Sequence, residues 1–112
     1  MNKNISKFLS KINEAHECFI KGDTSKYNRI IRSQTLTKEE SSDSELMKRF
    51  NEGGTNDWQK IAIIGILLNR GYKDFAKEQL EVLMQSKDMQ TRFDARALLN
   101  LIIPQLEKEG KV

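Results

Sequence analysis

Apolar residues recur along this chain at helical spacing almost from the first residue. Over residues 3–21, Ile5, Phe8, Leu9, Ile12, Ala15 and Phe19 share one face, and Lys3, Lys7, Lys11, Glu14 and Glu17 occupy the rest of the wheel. That predicts an amphipathic helix closed by Gly22-Asp23. A shorter helix follows, capped at Thr24 or Ser25 and carrying Tyr27, Ile30 and Ile31 to about Ser33. Ser33–Ser44 is polar and predicts a loop, with Thr37-Lys38-Glu39-Glu40 as a possible capping box. Ser42 or Asp43 is placed to cap a short helix bearing Leu46, Met47 and Phe50. The segment Asn51-Glu52-Gly53-Gly54-Thr55-Asn56 breaks the pattern most strongly and favours turn or left-handed backbone.

Past Asp57 the pattern changes. Ile61, Ala62, Ile63, Ile64, Gly65, Ile66, Leu67 and Leu68 leave no polar face, which predicts a central helix packed on most sides, with Gly65 allowing a close helix approach. Asn69-Arg70-Gly71 ends it. Residues 73–86 set Phe75, Ala76, Leu80, Leu83 and Met84 on one face, and Lys87-Asp88 opens a turn. A last helix from about Met89 carries Phe93, Ala97, Leu98, Leu101 and Ile102 inward and kinks or ends near Ile103, because Pro104 lacks a backbone donor and clashes with the carbonyl four residues back. The expected fold is all-α: one domain over 1–112, an antiparallel stack of five or six helices. Its N-terminal helices span 1–52, and a helical hairpin plus C-terminal helix spans 57–106.

Composition agrees. With 112 residues, one Pro and 38% hydrophobic residues, the chain has room for one core and none for separate substrate and cofactor domains. A single cysteine cannot build a disulfide framework, and Met1–Lys7 is not followed by the apolar segment of a secretory signal, so the expected location is cytoplasmic. The net charge of +3 is evenly spread: residues 1–56 hold ten Lys+Arg and eight Asp+Glu, residues 57–112 nine and eight. No basic arm marks a nucleic-acid binder.

The segment Ile63–Asp88 resembles a tetratricopeptide (TPR) repeat: Ile63, Ile64 and Leu67 on a first helix, Gly71 at the turn, Ala76 at the small-residue contact, Leu80 and Leu83 on a second helix. It departs from that pattern at Lys60, where the family prefers an aromatic (Trp58 is two residues away), at Ile64, where a small residue is usual, and in lacking a closing proline. A weaker echo lies at Ala15, Cys18, Gly22 and Ile31, with Tyr27 where the family has alanine. Leu68–Gly71 and Gln79–Asp88 are similar to small TPR-like chaperones of needle subunits in type III secretion. That resemblance implies a concave helical surface holding an amphipathic segment of another protein, with no catalysis and no cofactor.

Candidate chemistry is sparse. His16 and Cys18, two apart on a helix, point about 200 degrees from each other and do not converge as a nucleophile pair. They read as a core-edge histidine and a buried cysteine. One His and one Cys lack the paired spacing of a metal site. Glu39, Glu40, Asp43 and Glu45 read as caps, and Gly53-Gly54 lacks the Lys-Ser/Thr of a phosphate loop. Arg92 and Arg96 are expected to pair with Asp88 and Asp94 on the surface. Neither an enzyme nor a cofactor is expected.

More informative is the apolar excess near the C-terminus. Leu98, Leu99, Leu101, Ile102, Ile103 and Leu106 cover more than one stripe, so either the N-terminal helices cover them or they meet a partner. The expected function is therefore a protein-binding chaperone or adaptor whose groove is lined by Leu80, Leu83, Met84, Leu98, Leu101 and Ile102, with Met47 and Phe50 as further candidates. An alternative is a nucleic-acid-binding or regulatory protein using Lys7, Lys11, Lys26, Arg29 and Arg32. A third is an immunity or inhibitor protein that masks a toxin or enzyme.

Overall fold

Each predicted helix forms, and local chemistry sets most of the boundaries. The structure is a computed structural model describing residues 2–112. Helix α1 (Lys3–Lys21) starts at Asn2, whose Oδ1 accepts from the backbone N–H of Asn4 and Ile5, and it stops at Gly22 in the left-handed region at φ 79°. Asp23, rather than Thr24 or Ser25, caps α2 (Thr24–Ser33). Helix α3 (Asp43–Phe50) opens with a reciprocal capping box: Glu45 N–H donates to Ser42 Oγ at 3.1 Å and Ser42 N–H to Glu45 Oε1 at 3.0 Å. Thr37 and Glu40 bond reciprocally in the same way, yet close only a turn, because Ser41 and Ser42 turn the chain into the next cap.

Helix α4 (Asp57–Asn69) and α5 (Lys73–Leu83) form a hairpin around Gly71 at φ 98°. Gly53 and Gly54 make the expected turn, and they make it without positive φ. Helix α6 (Met89–Ala97), capped by Asp88, does not end before the proline. It widens into a π-helical segment at Leu98–Ile102, where Ile103 N–H reaches Leu98 O, and continues as α7 (Ile103–Lys108). The wider turn accommodates the missing Pro104 donor and the crowded carbonyl without breaking the helix.

The core collects Ile5, Phe8, Leu9 and Ile12 of α1, Leu46 and Phe50 of α3, four residues of α4, Ala76, Leu80 and Leu83 of α5, then Ala95 and Ile103. Phe50 is buried inside it, edge-on to Phe75. Helix α2 stays apart: its Ile30 covers Ala15 and Cys18 in a second small cluster, with Tyr27 packed on it. The radius of gyration, 13.5 Å, is that of a single packed unit of this length. Among the described residues, no helix is long and apolar enough to cross a membrane.

The phase of α6 differs from expectation. Thr91 and Ala95 are fully buried, because small side chains let α6 approach its neighbours closely. Phe93, about 200 degrees away from both, is turned outward and 65% exposed, with Leu101 at 69% and Ile102 at 44%.

Candidate functional site: an open apolar cleft on helix α4

Helix α4 is apolar on two faces that meet different surroundings. Gln59, Ile63, Ile64, Leu67 and Leu68 are buried. Trp58, Ile61, Ala62, Gly65, Ile66 and Asn69, spaced i, i+3, i+4, i+7, i+8 and i+11, floor a cleft of about 590 Å³. Phe8 and Ile12 of α1 with Tyr27 and Ile31 of α2 form one wall. Gln90, Asp94, Ala97, Leu98 and Ile102 form the other. The cleft exists because α2 packs chiefly onto α1, touches α6 through the Gln90–Tyr27 bond and does not close over α4. Gly65 makes no close helix contact: a Cβ built on it meets nothing within 4 Å. Its missing side chain enlarges the cleft instead.

Polar networks brace both ends. At the start of α4, the His16 ring stacks on Trp58 at 3.8 Å between centroids and 13° between planes, and Trp58 Nε1–H donates to Asn13 Oδ1 at 2.8 Å. His16 Nε2 lies 2.8 Å from Asp88 Oδ1, while Asp88 Oδ2 accepts from the N–H and hydroxyl of Thr91. Burial pushes the Asp88 carboxyl up, but the bonds from His16 and Thr91 outweigh it and hold the group below the usual carboxylate range. The Ser86 hydroxyl donates to Asp57. At the far end Arg70 donates to Ser41 O, Leu36 O and Asp43 Oδ1, and the Tyr72 hydroxyl donates to Asp43 Oδ2 at 2.8 Å. The bonds from Tyr72 and then Arg70 lower the Asp43 pKa. This ties the 36–43 loop to the end of α4.

Asp94 is the exception. Burial raises its pKa from 3.8 to about 6; a bond from Gln90 opposes the shift and the nearby Asp88 charge adds to it. The expected surface pairing with Arg92 and Arg96 does not form, since Arg92 donates to Ser86 O at 2.8 Å and Asp94 lines the cleft.

The residues predicted for a groove are scattered by the fold. Leu80 and Leu83 lie in the core, out of reach of any partner, and Met84 packs against that core. Leu101 is exposed but outside the cleft lining, while Leu98 and Ile102 do line the cleft. Of the basic set, Lys7, Lys11, Lys26, Arg29 and Arg32 are all exposed. Lys11 and Lys26 both pair with Glu14, at 3.2 and 3.9 Å, which spends part of that charge.

Sequence reasoning missed the floor of the cleft. The available signal was the second complete apolar stripe on α4, which implies a second packing surface. Comparison of the chain with known families, characterised proteins and solved structures finds no match in any of the three.

Proposed function

We propose that this protein binds another protein by taking an amphipathic helical segment into the cleft over α4. The observation that carries this reading is the uncovered apolar face from Trp58 to Asn69, flanked by α1 and α2 on one side and α6 on the other. A partner helix placing apolar side chains at i, i+3, i+4 and i+7 would bury that face and its own stripe together. The α4–α5 hairpin is read as TPR-like, with Gly71 at the turn and Ala76 fully buried at the small-residue contact in support. This is the geometry that the likeness to needle-subunit chaperones implies, with the receiving surface moved from α5 to α4. Chaperones, adaptors and inhibitors all work through such a surface, and the partner decides which name applies.

Binding is favoured over catalysis by how the polar groups are spent. His16 commits its Nε2 to Asp88 and a ring face to Trp58, and the hydroxyls of Ser86 and Thr91 donate to carboxylates. Such bonds position the cleft wall.

The test is photo-crosslinking inside the protein's own cells, with the reactive amino acid at Asn69 on the cleft or at Glu81 on the exposed side of α5. A protein captured from position 69, absent from position 81 and lost when Gly65→Phe fills the cleft, supports the reading. Equal capture at both positions, or capture indifferent to Gly65→Phe, sinks it.

A further inference from the structure

Within the cleft, one group of acceptors lacks the donors its chemistry calls for. Gln90 is buried, and its Nε2 donates to the Tyr27 hydroxyl at 3.1 Å while its Oε1 has no partner. Asp94, one turn further along α6, lines the same cleft, and no lysine, arginine or histidine among the described residues pairs with it. The opposite end differs, because the Arg70 guanidinium is already taken up by Asp43 and two backbone carbonyls. The cleft is therefore mostly apolar, and its uncompensated carboxylate and buried amide oxygen sit on α6 toward the Trp58 end, where the turn before α6 is tied to the start of α4 by the Ser86–Asp57 bond.

A wholly apolar or acidic segment laid over that cluster would seal Asp94 away from water with no cation beside it and Gln90 Oε1 with no donor at all, a penalty the partner would have to overcome. A cation removes it, since an ammonium or guanidinium has several N–H donors and no acceptor. From this charge complementarity we infer that the occupant is a helix of another protein bearing a lysine or arginine among its apolar anchors, its cationic head seated between Asp94 and Gln90. The inference rests on the helix-in-cleft reading and adds the chemistry of the partner. Dimensions agree: from Trp58 to Asn69 the floor is about 16 Å long at 1.5 Å per residue, the length of three helical turns. One basic residue and three or four apolar ones fit that span. The raised pKa of Asp94 is what a sheltered carboxyl with no cation beside it should show.

The experiment is a selection from a displayed library of amphipathic helical peptides, apolar at i, i+3, i+4 and i+7 and varied elsewhere, against the full chain. Selected peptides are then titrated by the fluorescence of Trp58, the single tryptophan, which lines the cleft. Peptides blocked by Gly65→Phe are expected to share a Lys or Arg at one register position. Replacing it with Gln, or Asp94→Asn in the protein, should weaken binding about tenfold or more, and the two changes together should cost no more than either alone. Circular dichroism confirms that Asp94→Asn and Gly65→Phe stay helical. Peptides blocked by Gly65→Phe but without a basic preference, or equally tight on Asp94→Asn, overturn the cationic partner and leave the helix-in-cleft reading standing. A selection that finds no binder, or only binders indifferent to Gly65→Phe, overturns both.

Discussion

Replacing Gly65 with alanine tests whether the outer face of α4 is open. Glycine inside a helix costs about 1 kcal/mol relative to alanine, through backbone freedom lost on folding. At most core positions an added methyl group would be offset by crowding, since interiors pack too tightly to take it. At Gly65 a Cβ has no neighbour within 4 Å, and φ is not in the left-handed region, so crowding contributes nothing. The full propensity gain of about 1 kcal/mol should therefore appear as stability. With an unfolding entropy of about 2.1 cal/mol/K per residue over this chain, that gain raises Tm by about 4 °C. Thermal and urea unfolding followed by circular dichroism at 222 nm read the change directly. A Tm that falls would refute the reasoning, because it would mean another element closes over α4 at this residue and the cleft does not exist in solution. The larger Gly65→Phe, also free of neighbours at Cβ, should remain folded and fill the cleft.

Three further predictions probe the rest of the structure. Because the Asp94 carboxyl is raised from 3.8 to about 6, the folded protein holds that proton more tightly than the unfolded chain, so this group's contribution to stability declines as pH rises through that range. A fully sheltered carboxyl would cost about 3 kcal/mol above it. Asp94 is only partly buried, so Asp94→Asn should match the wild type near pH 4 and exceed it by about 1.5 kcal/mol near pH 7.5 in urea unfolding, and a gap that does not widen with pH counts against its burial. Leu80→Ala, at a fully buried core position, should cost about 2–5 kcal/mol, whereas Leu101→Ala on the exposed side should change stability by less than about 0.5 kcal/mol; comparable losses would mean α6 is rotated from its described phase. Arg70→Met strips three bonds from the segment 36–43 and removes the cation beside Asp43, so a lower urea midpoint is expected, with faster amide exchange confined to that segment; unchanged exchange there would show that Arg70 does not anchor it.

Much of this protein is local. The order and lengths of the helices follow from apolar spacing and from end signals that act within a few residues: Asn2 before α1, the Ser42–Glu45 box before α3, Gly22 and Gly71 where the backbone must turn left-handed. The all-α class was legible for that reason. Periodicity orients a helix only when one of its faces is polar. Helix α4 has none, so the choice of core face and cleft floor fell to its neighbours, chiefly to α2, which settles on Ala15 and Cys18 instead of closing over Ile61 and Ile66. Helix α6 has apolar residues on several sides, and close packing at Thr91 and Ala95 set its rotation, turning Phe93 outward; the π-helical segment at Leu98–Ile102 then shifts the register before Pro104. The same rotation carries Asp94 into the cleft opposite Tyr27. Its unpaired charge depends on elements more than sixty residues apart in the chain, a distance over which spacing along a sequence carries no information and only packing decides.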